Sequence, residues 1–575
     1  MRLRLWAPRA QRVEVVLADG DRLAMTAVDQ GWYELDSPLL AAGLQYRVSL
    51  DGGEAIPDPL SAFQPDGVEG PSQLVSDEFA WRDTGWTAPP LAEAIIYELH
   101  LGTFTPEGTF DAVIARLDHL VDLGVTAVEL MPVAEFPGRW GWGYDGVDLF
   151  AVRAAYGGPD GLRRLVDACH RRGLAIILDV VYNHLGPAGN HLAELGPFFT
   201  DSYRTPWGQA VNFDGPGSDG VRELVIANAL RWLGDFHLDG LRLDAVHAIH
   251  DESAKHIVEE LAEAVDGLAA QLGRRLWLIL ETDRNDPRGV WPRDRGGWGA
   301  VAQWADDFHH ALHSALTGED RGYYSDFRGL ADVVRALRSP HVYRGQHSAF
   351  RDRHHGRSAE SITGDHFVVC IQNHDQVGNR ARGERLSQLV GTDQLRIAAL
   401  LLLTSPYVPL LFAGEEWGAG TPFLYFTDHE PGLGARVTAG RRQEFAGFGW
   451  NPEEVPDPQA EGTFVQSRLC WPERDQGEHR SLLDWYRALI RLRRSIPDLG
   501  CGDPGASRVD ADVERDWLTV QRGGHVIAVN LGGEWVEIPG SADPGGELLL
   551  ATGPGVEVSG ATLRLPPFSG AVWGR

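Results

Sequence analysis

The sequence predicts an α/β protein, a (β/α)8 TIM barrel with an N-terminal β-sandwich module and a C-terminal β domain. Between residues 89 and 498, short apolar runs alternate with amphipathic helical stretches, which is the pattern of a parallel sheet with helical crossovers. Three of these runs end in a carboxylate, at Asp244, Glu281 and Asp375. Because the carboxyl ends of parallel barrel strands meet at one mouth, we expect these three side chains to converge.

The composition disfavours several classes of function. With 43% hydrophobic and 23% charged residues over 575 positions, the chain is typical of globular proteins of several domains. No apolar run approaches the roughly 18 residues that cross a bilayer, and the N-terminus lacks the apolar core of a secretory signal. We therefore expect no membrane partner and a cytoplasmic location. The net charge of −29 would repel phosphate backbones, so nucleic acid is not an expected partner.

The sequence predicts no cofactor, no metal ion and no disulfide. Its glycine-containing segments match neither a phosphate-binding loop nor a dinucleotide fingerprint. The four cysteines lie far apart, without the paired spacing of zinc sites. The loop after His184 offers Asn190 and Glu194 but no dense cluster of acids, so we expect no calcium site there. The 19 tryptophans and 13 tyrosines are suited to stacking on sugar rings as well as to filling cores.

The N-terminal module is predicted over residues 1–88 and the C-terminal β domain over residues 499–575. In the first, strand-like runs at 3–6, 13–17 and 32–35 are separated by turn residues such as Asp19 and Gly20. A segment rich in proline and glycine, 57–71, and the pair Pro89-Pro90 mark the exit from this module. In the second, the strand-like runs are 517–520, 526–530 and 571–573.

The barrel is predicted over residues 89–498. Its eight strand candidates are 95–98, 127–130, 175–181, 240–244, 276–281, 301–304, 367–375 and 408–412, with helical stretches such as 110–123, 161–172 and 221–236 between them. Pro409 falls inside the last strand, although proline lacks the N–H that a central strand needs. Two connections, 184–220 and 344–363, are far longer than usual, and we interpret both as functional loops over the barrel mouth.

The residues around the three acids favour cleavage of glycosidic bonds. Arg242 lies two residues before Asp244, so on a strand the two side chains share a face and the cation keeps the acid ionised as a nucleophile. Glu281 follows an apolar run without a neighbouring cation, a setting that favours a protonated acid. Asp375 would then bind sugar hydroxyls. One ionised and one neutral carboxylate are what glycoside hydrolysis requires.

Four segments resemble the signatures of the α-amylase family of glycoside hydrolases: 179–184, 240–244, Glu281 and 373–375. The resemblance extends over the barrel and both flanking β domains. It implies a retaining double displacement in which Asp244 is the nucleophile, Glu281 the acid/base and Asp375 a third acid that helps to distort the sugar. It also implies that six further side chains surround the cleaved residue, namely Tyr144, Asp179, Asn183, His184, Arg242 and His374. The two catalytic carboxyl carbons should then lie about 5–5.5 Å apart.

Within that family, segments 281–286, 304–310, 371–380 and 422–429 resemble one subgroup. Its members cut the α-1,4 bond next to a terminal trehalose, on a maltooligosaccharide-type substrate whose end a companion synthase has rearranged. Segments 283–286 and 306–307 follow barrel strands, and we predict that they contact the trehalose end, with Asp283 and Asp307 as the leading candidates. Discrimination between glucose disaccharides needs polar groups that only one of them satisfies. Helix capping and turn formation are an equally good reading of these two residues.

Two alternatives remain open. A glucan branching or debranching enzyme would share the chemistry, although branching enzymes usually carry Ser-His-Asp-Glu where this chain has Asn373-His374-Asp375-Gln376. A catalytically silent glucan-binding protein on the same fold would not need the protonatable Glu281. The product profile on the trehalose-ended substrate and on plain maltooligosaccharide separates these alternatives.

Overall fold

The computed structural model describes residues 1–447, 451–540 and 546–574. Its centre is a closed barrel of eight parallel strands, which confirms the predicted fold class. The strands pair in chain order, and the eighth closes the barrel against the first. They are, from first to eighth, Ile96–Leu99, Ala127–Leu130, Ala175–Val180, Gly240–Leu243, Trp277–Leu280, Ala302–Trp304, Phe367–Cys370 and Val408–Phe412.

The eighth strand accommodates Pro409 where it is paired on one side only. Pro409 pairs with Val369 of the seventh strand, whereas the pairing with the first strand begins one residue later, between Leu410 and Ile96. At Pro409 the eighth strand therefore has a paired neighbour on one side only. The missing N–H therefore costs no ladder hydrogen bond to the first strand.

Helices surround the barrel and pack their apolar faces onto it. In Gly158–His170, for example, Leu162, Leu165 and Val166 are buried at helical spacing. The single helix predicted over 110–123 is instead two helices, interrupted at residues 115 and 116. The helices of the barrel region are Leu101–Phe104, Phe110–Ile114, Leu117–Leu123, Gly158–His170, Leu192–Leu195, Ser218–Gly234, Ile257–Leu272, Asp307–Thr317, Leu330–Arg338, His374–Gly378, Leu386–Leu389, Thr392–Leu403, Pro431–Gly447, Glu461–Gln466 and Gly477–Ser495.

The N-terminal region forms two antiparallel sheets. In the strand Arg2–Trp6, Leu3 and Leu5 are buried while Arg2 and Arg4 are exposed, which is the alternation of a strand with one face on a core. One sheet contains Arg2–Trp6, Thr26–Ala27 and Trp32–Asp36; the other contains Val13–Leu17, Arg22–Ala24, Gln45–Leu50, Ala55–Ile56 and Ser72–Gln73. The module packs on the barrel through Trp6, whose ring lies edge-on to Phe198 with 5.2 Å between centroids.

The C-terminal region also forms two antiparallel sheets. The larger sheet contains Arg508–Asp512, Trp517–Arg522, His525–Asn530, Glu547–Ala551 and Ser569–Gly574, and the smaller contains Val536–Ile538, Glu557–Ser559 and Thr562–Leu565. Arg522 joins the larger sheet to the barrel, because its guanidinium donates to the carbonyl of Thr404 at 2.8 Å. The exact division of the chain at residues 88 and 498 stays a prediction.

Both long connections fold into hairpins at the barrel mouth. The connection 184–220 contains the strands Phe199–Thr205 and Gly208–Val211, and the connection 344–363 contains Arg344–Ser348 and Arg353–Gly356. A third pair, Ala134–Glu135 and Asp148–Val152, follows the second barrel strand. Among the helices that the structure describes, none is both long and apolar enough to cross a membrane.

Candidate active site

A cavity of about 750 Å³ opens at the carboxyl ends of the barrel strands. Asp244 and Glu281 lie directly after the fourth and fifth strands and line this cavity together with Asp375. Asp375 lies in the short helix His374–Gly378, which Asn373 caps by accepting a hydrogen bond from the backbone N–H of Gln376 at 2.8 Å. The three acids therefore converge at one mouth, as their positions after parallel strands predicted.

Arg242 lies at the centre of these acids and is completely buried. Its Nη1 donates to Oδ1 of Asp244 at 2.8 Å, and its Nη2 lies 3.9 Å from both Oε2 of Glu281 and Oδ2 of Asp375. The guanidinium also lies 4.3 Å from the centre of the Trp304 ring. The cation is thus held rigidly and contacts Asp244 more closely than the other two acids.

Glu281 has a different environment. Burial raises its pKa well above its usual range, against the lowering effect of Arg242, and the charges of Asp244 and Asp375 raise it further. Its Oε2 accepts a hydrogen bond from the backbone N–H of Ala245 at 2.6 Å. Ala245 adopts the left-handed conformation, with φ of 39° and ψ of 50°, which is unusual for a residue with a Cβ. The strained conformation of Ala245 thus points its N–H at Glu281, so the residue that follows Asp244 is hydrogen-bonded to the other catalytic acid.

Tyr144, Asp179 and His374 form a hydrogen-bonded chain beside Arg242. The hydroxyl of Tyr144 lies 2.6 Å from Oδ2 of Asp179 and 2.7 Å from Nε2 of His374. The same Oδ2 accepts from Nη1 of Arg242 at 2.8 Å. Burial and the charge of Asp244 raise the pKa of Asp179 to about 7, in spite of Arg242. The structure therefore brings four of the six residues implied by the resemblance into one network.

The other two residues of that set, His184 and Asn183, have different positions. His184 lines the cavity, contacts the carbonyl of Tyr144 through Nε2 at 2.9 Å, and stacks on Trp207 with 4.5 Å between ring centroids. Trp207 is 49% exposed at the tip of the hairpin in the connection 184–220. Asn183 is buried, is not among the residues that line the cavity, and its amide has no hydrogen-bond partner among the described residues.

The two candidates for trehalose recognition also separate. Asp283 lines the cavity, its side chain is 45% exposed, and it lies 3.9 Å from Nη2 of Arg351. Asp307 does not line the cavity, because its Oδ2 accepts from the backbone N–H of Val342 at 2.6 Å and from the amide of Asn285 at 2.6 Å. The geometry thus favours a structural role for Asp307. Asp306, the other residue of the predicted pair after the sixth strand, lines the cavity instead.

Several other residues of the cavity wall were not selected as site residues from the sequence. They lie after the sixth, seventh and eighth strands and are aromatic or cationic: Tyr323, Tyr324, Arg351, Arg380, Tyr425 and Arg441. Arg380 and Tyr425 fall in the segments 371–380 and 422–429 that resemble the subgroup, but the resemblance assigned them no role. Arg351 lies in the connection 344–363, whose length and polarity predicted a loop over the mouth.

The arrangement has the parts for acid/base and nucleophilic chemistry by two carboxylates. One acid is bound to a buried guanidinium, and the other is buried with a raised pKa. Within the part of the chain that the structure describes, no group of three or more His, Cys, Asp or Glu side chains is placed to hold a metal ion.

The chain is similar to several known proteins. The model of the α-amylase catalytic domain matches residues 73–197, and the model of a domain of unknown function, DUF3459, matches residues 504–572. Malto-oligosyltrehalose trehalohydrolase from Arthrobacter ramosus is 49% identical, with 96% of each chain covered. The enzyme of the same name from Rhizobium sp. (strain M-11) is 46% identical, with 99% of this chain and 97% of that protein covered.

A solved structure and a more distant relative complete the comparison. A protein from Salmonella typhimurium, provisionally named an α-amylase, matches with a TM-score of 0.91 and 40% identity, covering 100% of this chain and 97% of that one. A 1,4-alpha-glucan branching enzyme from Pseudoalteromonas atlantica is 28% identical, with 72% of this chain and 60% of that protein covered.

Proposed function

The chain belongs to the family of malto-oligosyltrehalose trehalohydrolases and is a glycoside hydrolase, and from this premise we propose how its mouth cavity acts on a maltooligosaccharide-type substrate. The substrate is a maltooligosaccharide that ends in trehalose, and the bond cut is the α-1,4 bond next to that trehalose. The products are trehalose and a maltooligosaccharide shortened by the cut. The observation that carries this proposal is the pair Asp244 and Glu281, one bound to Arg242 and the other buried with a raised pKa.

The reaction proceeds in two displacements. A carboxylate oxygen of Asp244 attacks the anomeric carbon, and the bond to trehalose breaks as Glu281 gives its proton to the leaving 4-oxygen. Glu281, now ionised, takes a proton from water, which attacks the glycosyl ester and frees Asp244. Each displacement inverts the anomeric carbon, so the new reducing end is released with its α configuration retained.

The surrounding residues hold the sugar at the cleaved bond. Asp375 and Tyr144 supply hydrogen-bonding atoms at the cavity wall, and Asp375 is the third acid that we assign to distortion of the ring. His374 would act through Tyr144, because it is buried and does not line the cavity. His184, which contacts the carbonyl of Tyr144, and the exposed face of Trp207 extend the polar and aromatic wall. Asn183 would act indirectly, because its amide is buried away from the cavity.

The substrate requires a companion reaction. A maltooligosaccharide ends in a reducing glucose, so a synthase that rearranges this terminal linkage into trehalose must act first. We propose such a synthase as a functional companion of this enzyme and keep the cytoplasm as its predicted location. A branching or debranching activity is the weaker candidate, because the branching enzyme is a far more distant relative than the trehalohydrolases.

The product profile tests the proposal. Incubation with maltooligosyltrehalose should release trehalose, whereas plain maltooligosaccharide of the same length should be cut slowly and without trehalose. The Asp244→Asn variant is the control, because it keeps the size of the side chain and removes the nucleophile. New α-1,6 branches, or equal rates on both substrates, would overturn the proposal.

A further inference from the structure

The hydrogen-bonded chain at the mouth continues below His374 to Glu98, a residue of the first barrel strand. Oε1 of Glu98 lies 2.5 Å from Nδ1 of His374, and Oε2 accepts from the backbone N–H of His374 at 2.9 Å. Glu98 is 1% exposed and does not line the cavity. Both carboxylate oxygens of Glu98 therefore contact His374, and Glu98 itself does not reach the cavity.

The direction of the hydrogen bonds determines the protonation of His374. Oδ2 of Asp179 accepts from Arg242, and burial raises the pKa of Tyr144 well above its usual value, so the tyrosine hydroxyl keeps its proton and donates it to Oδ2. The hydroxyl then accepts from Nε2–H of His374, while Nδ1–H donates to Glu98. A proton on both ring nitrogens is the arrangement that satisfies all of these contacts, and a ring with both protons is an imidazolium.

We propose that Glu98 is a positioning residue that holds His374 as an imidazolium in the orientation in which it donates to Tyr144, a residue of the cavity wall. The inference rests on the proposed function, which it deepens. A neutral His374 with its proton on Nδ1 could no longer donate to Tyr144, and the tyrosine would turn its own proton from Asp179 toward the ring. The loss of one proton would thus reorganise the chain that leads to Arg242 and the nucleophile.

Charged and titratable groups face His374 from several strands. They are Glu98 and His100 at the first strand, Glu129 in the second, Tyr144 after the second, Asp179 in the third, Arg242 in the fourth and Asp375 on its own helix. Burial alone lowers the pKa of His374, but the charges of Glu98 and Asp375 and the bond to Glu98 outweigh burial and raise it to about 9. Glu98 is the closer of these two acids: its Oε1 lies 2.5 Å from Nδ1 of His374, whereas Oδ1 of Asp375 lies 3.5 Å from Nε2.

Glu129 provides a matched control for Glu98. The two residues are register partners on neighbouring parallel strands, so their side chains point to the same face of the sheet. Neither carboxylate oxygen of Glu129 has a hydrogen-bond partner among the described residues, and burial together with the charge of Glu98 raises its pKa well above its usual range. Burial thus favours the neutral form of Glu129, so its replacement with glutamine is the matched change that leaves the contact between Glu98 and His374 intact.

The first test follows His374 itself by NMR of histidine labelled at Cε1, with its resonance assigned by its absence from His374→Asn. In the free wild-type enzyme the ring should lose its proton near pH 9. In Glu98→Gln we expect this midpoint to fall by about one pH unit or more, because the charged partner is lost. Glu98→Asp should fall less, and Glu129→Gln should match the wild type. A neutral His374 at pH 7 in the wild type, or an equal midpoint in Glu98→Gln, would overturn the inference.

The second test is the ratio of kcat/KM of Glu98→Gln to that of the wild type on maltooligosyltrehalose. This ratio cancels the ionisations that both enzymes share, such as that of Glu281. It should lie near one at pH 5.5 and fall to about one third by pH 8.5 if the histidine midpoint moves by about one unit, and further if the midpoint moves more. A ratio that is low but constant with pH would mean that Glu98 serves only the fold and would overturn the inference. A wild type that releases no trehalose, while the NMR midpoints shift as expected, would contradict the proposed function alone.

Discussion

The fourth barrel strand, Gly240–Leu243, is bracketed by two buried aspartates that have opposite environments. Asp239 precedes the strand at the base of the barrel, and Asp244 follows it at the mouth. Both side chains are buried and both bind an arginine, so neither burial nor a cationic partner distinguishes a structural acid from a catalytic one. The difference lies in how many of their acceptor sites the protein itself occupies.

At the base, the protein occupies every acceptor position of Asp239 that the geometry offers. Oδ1 accepts from Nε1 of Trp86 at 2.9 Å and from Nη2 of Arg274 at 3.0 Å. Oδ2 accepts from the backbone N–H of Ile176 at 2.9 Å and lies 2.9 Å from Nε2 of His170. The cluster connects Trp86, which precedes the first barrel strand, to the third and fourth strands. No acceptor of Asp239 remains for a ligand.

At the mouth, Asp244 accepts a side-chain hydrogen bond from Arg242 alone among the described residues, and its carboxylate faces the cavity. An acid with an open acceptor in a cavity is available to a reacting atom, whereas a saturated acid is not. The comparison therefore assigns stability to one end of the strand and chemistry to the other, as parallel barrels usually divide these tasks.

The largest effect should come from the mouth. Asp244→Asn and Glu281→Gln should each lower kcat by about a thousandfold or more, because each removes a distinct protonation role from the two displacements. The melting temperature of both variants should stay close to that of the wild type or rise. Steady-state kinetics on maltooligosyltrehalose, with thermal denaturation of the same samples, checks this. Substantial residual turnover in Asp244→Asn would reassign the nucleophile.

The same chemical change at the base should have the opposite outcome. Asp239→Asn leaves His170 and Arg274 facing an amide, so unfolding should become easier by about 3 kcal/mol or more, as for a broken buried ion pair. The kcat of the folded fraction should remain within a few-fold of the wild type. Urea denaturation and kinetics below the melting transition measure both quantities. If Asp239→Asn were stable but inactive, the division between the two ends would be wrong.

Two acids near the mouth sharpen the comparison at finer scale. Asp283→Ala should lower kcat/KM on maltooligosyltrehalose by about 1–3 kcal/mol more than on plain maltooligosaccharide, because Asp283 has an acceptor open to the cavity. Asp307→Ala should affect both substrates equally and lower stability, because its carboxylate binds Asn285 and Val342. The reverse result would move trehalose recognition to the segment that Asp307 supports.

The smallest effect concerns stability and pH. Burial and the charge of Asp375 raise the pKa of Asp306 to about 7, so the unfolded chain ionises this acid near its ordinary pKa of about 3.9 while the folded chain does not. The raised pKa of Asp306 therefore lowers the free energy of unfolding. This destabilisation is absent below pH 4 and grows as the pH rises toward 7. Asp306→Asn should thus melt at the wild-type temperature at pH 4 and a few degrees higher at pH 7. A stabilisation that is equal at both pH values would contradict the raised pKa.

The sequence was informative wherever an acid followed directly after a strand, as Asp244 and Glu281 do. Glu98 ends the predicted strand 95–98 but was not selected, because no signature segment includes it; in the structure its strand continues to Leu99. The left-handed turn at Ala245 had no signal, since alanine rarely adopts that conformation.

The choice between neighbouring acids also needed the structure. Asp306 and Asp307 are adjacent, and only the phase of the helix Asp307–Thr317 decides which side chain faces the cavity. The barrel strands could be predicted because apolar runs of strand length alternate with helical ones. The interruption of the helical stretch 110–123 could not, because no glycine or proline marks it.

The most direct test of the account is the configuration of the sugar at the moment of cleavage. Maltooligosyltrehalose should be mixed with enzyme at a concentration high enough to finish hydrolysis before mutarotation, and the new reducing end followed by proton NMR. We predict that trehalose appears together with the α-anomer of the shortened maltooligosaccharide, which then equilibrates to the β-anomer. Initial release of the β-anomer, or cleavage without trehalose, would contradict the assignment of Asp244 and Glu281 to a retaining trehalose-releasing reaction.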